Sequence, residues 1–166
     1  TCHQDKHQTF VHTGMWLSFD SATRQKSSAL YGVNHQVYDS SSDLHYYPFW
    51  ENEKLYIKEF RLLEQDTIHQ FTQEINYIVG SGQHTNSHIL ENNGYLFQAP
   101  ITFYVQKQKW DLAPGFEGGN NSRFSRILNS ECISCHNSMP ELIDNSQFKF
   151  KTIGNGIDCE RCHGPG

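Results

Sequence analysis

The chain has 166 residues, enough for one domain with a buried core, and 36% of them are hydrophobic. Its net charge of −5 with neutral histidine argues against a nucleic-acid partner, whose phosphates call for a basic patch. No apolar run approaches the ~20 residues of a membrane-spanning helix.

In chain order, residues 1–3, Thr-Cys-His, match the last three letters of a Cys-x-x-Cys-His pattern that recurs twice further on. The chain therefore reads as a piece of a longer one, and the lack of a signal sequence says nothing about destination. Residues 4–19 suit a short helix ending near Gly14. Residues 20–43, rich in Ser, Asp and Asn, read as loop.

From residue 44 the pattern turns extended: LHYYPFW (44–50), EKLYIKEFRLL (53–63) and TIHQFTQEINYIV (67–79). In the last of these His69, Phe71, Gln73, Ile75, Tyr77 and Val79 form the more apolar alternate set, predicted to face the core. Gly80-Ser81-Gly82 breaks the strand. Residues 87–105 predict a hairpin turning at Asn93-Gly94. The glycine-rich stretch 113–122 lacks phosphate-loop spacing and reads as turns. Ser122 is placed to cap a helix over 123–136. Residues 138–158 follow as a connector with turns at Gly154 and Gly156.

Five cysteines are an awkward number for a disulfide framework. Four of them form CISCH (132–136) and CERCH (159–163), the attachment pattern of c-type haem. Two thiols add to the two vinyl groups on one porphyrin edge. A two-residue spacer lets both sulfurs reach that edge, and the next residue offers its imidazole to the iron. Cys132 and Cys135 with His136, and Cys159 and Cys162 with His163, take these roles. Cys2 and His3 would be the remainder of a third site. One rival is a single zinc on the four thiolates, with 23 residues between Cys135 and Cys159. Another is a redox dithiol. The histidine after each pair favours haem.

The stretches HTGM, YIVGSGQHTNSH, NGYLFQAPITFYVQKQKWDLAPGFEGGNNSRFSR, CISCHNSMP and GIDCERCHGPG together resemble a multihaem cytochrome c domain. It is the extracytoplasmic type that precedes tetratricopeptide repeats. The chain is more distantly similar to the tetrahaem cytochromes that accept electrons from hydroxylamine oxidoreductase. The resemblance implies a periplasmic or cell-surface location, redox partner proteins, and further domains on the same chain. The expected fold is α+β with much irregular structure: a multihaem cytochrome c fold over 1–166, with short helices carrying the motifs and a small antiparallel sheet at about 44–106.

The sixth ligand decides between electron transfer and chemistry at an open iron. His7, His12, His35, His45, His69, His84, His88 and Met15 are the donors outside the motifs. Met15, twelve residues after His3, falls near the place where the resembling tetrahaem proteins tend to carry a ligand histidine; it is equally suited to filling a core. His12 is its neighbour in sequence. His84 and His88 read as lying in the loop after Gly80-Ser81-Gly82, where a sharp turn could aim an imidazole at an iron, and His84 is favoured for its position in the loop itself. Arg123 and Arg126 could face haem propionates or simply water. The expected function is electron transfer through two or three haems. The alternatives are a haem enzyme reducing a small nitrogen or oxygen species and a haem-free zinc module.

Overall fold

The computed structural model describes residues 4–164. It begins with helix α1 (Gln4–Phe10) and continues through β1 (Phe19–Ser21), β2 (Val37–Asp39), β3 (Leu44–Glu51), β4 (Lys54–Leu63) and β5 (Asp66–Ile75). Then come β6 (Tyr77–Val79), β7 (Thr85–Asn92), β8 (Tyr95–Tyr104), β9 (Lys109–Leu112) and β10 (Arg126–Ile127). Helix α2 (Ser130–Ser134), β11 (Glu141–Leu142), β12 (Phe150–Thr152) and helix α3 (Glu160–His163) complete it. No helix among the described residues is long and apolar enough to cross a membrane.

Strand alternation builds the two main sheets. One has the order β2-β3-β4-β5, antiparallel throughout. In it β3 and the first half of β4 bury every second side chain, including Leu44, Tyr46, Leu55 and Ile57. The other has the order β1-β6-β7-β8-β10, with β9 also paired to β8. Its hairpin β7–β8 turns at Asn93 (φ 52°) and Gly94 (φ 85°), the left-handed pair expected of Asn-Gly.

One core cluster joins the sheets: Tyr46, Leu55 and Ile57 pack with Ile78, Ile101 and Phe103. A second lies on the opposite face of the second sheet. There Phe19, Ile89 and Leu96 meet Leu128, Ile133 and Phe150 from the C-terminal part of the chain. The second sheet is thus covered on both faces.

The fold corrects the α+β expectation. Strands dominate, the α-helices are only four to seven residues long, and the sheet is not a small insertion in a cytochrome c fold. The strand predicted over 67–79 is two strands in two sheets, broken at Asn76. Asn76 N–H donates to Ile89 O at 2.9 Å and its carbonyl accepts from Ala22 N–H at 2.8 Å, while its Oδ1 accepts from Glu91 N–H at 2.7 Å. The predicted buried set holds only in part: Ile75 is buried and Tyr77 and Val79 pack against the second core cluster, but Phe71 is exposed and Ile78 of the other set is fully buried. Beyond Asn76 the strand has protein on both sides, so alternation no longer marks a single inner face.

Of the helix predicted over 123–136, only α2 (Ser130–Ser134) forms, carrying the first motif; residues 123–129 are not helical. Residues 113–125 form a strap across the first sheet, held by buried polar groups. Asp39 accepts from Ser42 Oγ at 2.7 Å and Asn121 Nδ2 at 2.9 Å, and Asn121 Nδ2 also donates to Tyr46 Oη at 3.0 Å. Arg123 grips the buried Glu59 with two nitrogens, Nε at 2.9 Å, and His69 Nε2 stands 2.8 Å from the same carboxylate. Burial alone would raise the Glu59 carboxyl; hydrogen bonds from Arg123 and His69 outweigh it and hold its pKa below the usual value. Arg126 lies over the Phe116 ring and donates to Pro114 O at 3.0 Å.

Removing the half-exposed Arg123 takes the guanidinium from a fully buried carboxylate and leaves Glu59 with His69 beside it. Arg123→Met is expected to destabilise the protein by about 2–4 kcal/mol, measured by denaturant unfolding. Adding Glu59→Gln to the same chain should recover more than half of that loss.

Candidate functional site

The first motif is organised by an inward isoleucine. Asn129 caps α2, its Oδ1 accepting from Cys132 N–H at 3.0 Å. Ile133, 2% exposed, drives the outer side of the turn into the second core cluster. Cys132 and Cys135, one helical turn apart, are left as free exposed thiols. His136 N–H then closes the turn on Ile133 O at 3.0 Å.

A cleft of about 130 Å³ opens beside this turn. Cys132 and His136 form one side, and Phe19, Val79, Ile89 and Leu128 are among its apolar walls. Partial desolvation beside the cleft lowers the pKa of His136 from its usual value.

The second motif repeats the turn in a more open setting. Asp158 Oδ1 accepts from Arg161 N–H at 3.0 Å, and His163 N–H donates to Cys159 O at 3.0 Å. Gly164 (φ 75°) ends α3. Cys159 and Cys162 are also free and exposed.

Long-range hydrogen bonds bring the motifs together. Arg161 Nη2 donates to Ser134 O at 3.4 Å, linking the two turns directly. Buried Asn137 donates to Gly154 O, and Ser138 N–H to Asn155 O at 3.1 Å. A Cβ at Gly156 would stand 1.9 Å from Trp16 O, so only glycine permits the approach. Trp16 packs edge-on against His7 and Phe10 of α1, the helix that follows Cys2 and His3. Cys2 and His3 themselves lie outside the described residues.

The proposed sixth ligands are scattered. His12 is exposed on the turn after α1. Met15 is 51% exposed, and its carbonyl accepts from Ile157 N–H at 3.0 Å, two residues before Cys159. The structure thus sets Met15 beside the approach to the second motif. His84 is exposed, with Gln106 Nε2 2.9 Å from its Nδ1. His88 points to the face opposite the cleft, fully buried and stacked on Trp110 at 4.8 Å. Neither ring nitrogen of His88 has a hydrogen-bond partner within normal geometry, and burial pushes its pKa down to about 3. Of the two arginines, Arg123 belongs to Glu59 and Arg126 to the strap.

Among the described residues no three His, Cys, Asp or Glu side chains converge as a metal-ion site, so the four thiols do not form a ready tetrahedral cage. Residue types had pointed to the thiols and histidines. Ser18, Asn137 and Gly156, which bring them together, carry no local signal; Gly154 and Gly156 had read only as turns. No family model, curated protein or solved structure matches this chain.

His88 makes the fold acid-sensitive. Its pKa is lower folded than unfolded, so its contribution is intact above about pH 6.5 and is lost as pH falls toward 3. Unfolding free energy should drop by about 1.4 kcal/mol per pH unit from this group within that window. Comparing the pH slope of His88→Leu with the unchanged chain checks it; the variant should lose roughly one proton of dependence.

Proposed function

We propose that this chain binds c-type haem covalently at two sites and passes single electrons through them. Cys132 and Cys135 would hold one haem by thioethers with His136 toward the iron; Cys159, Cys162 and His163 would hold the other. Cys2 and His3 are candidates for a third. The observation that carries the reading is the paired arrangement: each motif forms one helical turn with both thiols free and exposed. The donor set suits the group, and the apolar cleft beside Cys132 and His136 offers it a dry edge.

When bound, haem supplies an iron that cycles between ferric and ferrous. The chain's part is to fix position and surroundings. Ile133 anchors the first attachment turn, so thiols and imidazole are presented from a rigid base. Phe19, Ile89 and Leu128 give the cleft an apolar wall, and low local polarity would favour the less charged oxidation state. The contact between Arg161 and Ser134 keeps the two turns adjacent, which short-range electron exchange requires. Haem attachment of this kind fits a periplasmic or cell-surface protein with redox partners, and we place the chain there.

The experiment is a pyridine haemochrome assay with intact mass on protein made alongside haem-attachment machinery. Denatured protein should stay red and carry at least two haem masses. Cys132→Ala with Cys135→Ala should remove one haem, and Cys159→Ala with Cys162→Ala another. A colourless chain with one zinc per molecule would favour the thiolate-zinc alternative.

A further inference from the structure

Ser18 sits where three chain segments meet, and its side chain reaches all of them. Its hydroxyl has one proton, and two carbonyl oxygens stand 2.7 Å away. One is Met15 O, on the segment leading from α1; the other is His136 O, in the first motif. The same hydroxyl oxygen lies 3.4 Å from Ile157 N–H, two residues before Cys159. Ser18 is buried, and its own carbonyl accepts from Gly80 N–H at 2.7 Å, which ties the junction to the second sheet. The backbone closes around the same point through Ile157 N–H to Met15 O at 3.0 Å and the close approach of Gly156 to Trp16.

A buried serine can satisfy its hydroxyl on a carbonyl three or four residues back. Met15 O would suffice for that. The additional carbonyl lies 118 residues away and belongs to the histidine of the first motif, while the donor that approaches belongs to the lead-in of the second. One side chain therefore touches both attachment segments at once.

Resting on the haem reading above, we propose that Ser18 is a positioning residue that fixes the first motif's histidine relative to the lead-in of the second, so that the two haems are held at one separation and behave as a coupled pair. Coupling between two charges depends on their separation. A looser junction would change both the electrostatic shift of one potential by the other and the magnetic interaction between the irons.

The test uses the full haem-loaded chain, unchanged and as Ser18→Ala, Ser18→Thr and Gly156→Ala. Haem is first counted by mass. Potentiometric titration, electron paramagnetic resonance of the oxidised protein, and hydrogen exchange at Ile157 follow. Ser18→Ala should keep both haems, alter the separation between the two potentials and weaken the magnetic interaction. Ile157 N–H keeps Met15 O as its shorter acceptor, so its exchange should speed only about twofold, the low end for a net hydrogen bond. Ser18→Thr, which keeps the hydroxyl, should restore these readouts. Gly156→Ala should move them too, because Trp16 O must give way. If Ser18→Ala does not accumulate, Gly156→Ala decides on the same readouts. Two haems with unchanged potentials, magnetic interaction and Ile157 exchange overturn the proposal and leave the haem reading standing. An unchanged chain that takes up no covalent haem overturns the reading and the proposal with it.

Discussion

A sheet with apolar side chains on both faces has to be covered twice, and the rest of this structure follows from that. Ile78, Ile101 and Phe103 on one face of the second sheet require the first sheet. Ile89 and Leu96 on the other require Leu128, Ile133 and Phe150. Full burial of each such side chain is worth about 1.5–3 kcal/mol. The second covering is supplied by the segment that carries the cysteines. The first Cys-x-x-Cys-His turn is therefore part of the core's outer layer, and Ile133, between Cys132 and Cys135, is the point of contact.

Covering by irregular chain creates a polar problem, since loops carry backbone and side-chain groups that cannot be left dry without partners. Two buried polar junctions answer it. On the first sheet Asp39, Tyr46 and Glu59 receive Asn121 and Arg123 from the strap. At the other end Ser18 and Asn137 take the carbonyls of His136 and Gly154. Both junctions join residues far apart in sequence. Each fixes a segment that has almost no regular structure of its own, which is how strands so distant from the motifs come to hold them in place.

The cost of this arrangement is seen at His88. A strand buried on both faces has no outward side on which to put an imidazole, and the ring is left stacked on Trp110 with both nitrogens unpartnered. The same spacing along β7 puts Ser87 and Ile89 on the cleft. The pairing with β8 shifts by two residues at the bulge between Ser87 and Ile89, an even step that keeps Ser87, Ile89 and Gln98 on the cleft side.

Sequence alone determined what depends on neighbours along the chain. The strands between 44 and 63, the Asn-Gly hairpin and the two Cys-x-x-Cys-His turns are local patterns, legible because alternation, turn chemistry and the spacing of cysteine and histidine act over a few residues. Only the tertiary structure decided the break at Asn76, the strap in place of a helix at 123–125, and the meeting of both motif segments at Ser18. Arg123 reads as a helix-face residue until Glu59, 64 positions earlier, is beside it. Gly156 reads as a turn until Trp16 O occupies the space a side chain would need. Hydrogen bonds and close contacts between distant segments leave no periodic trace in either partner, because each residue's type is set by a neighbour that the chain order does not show.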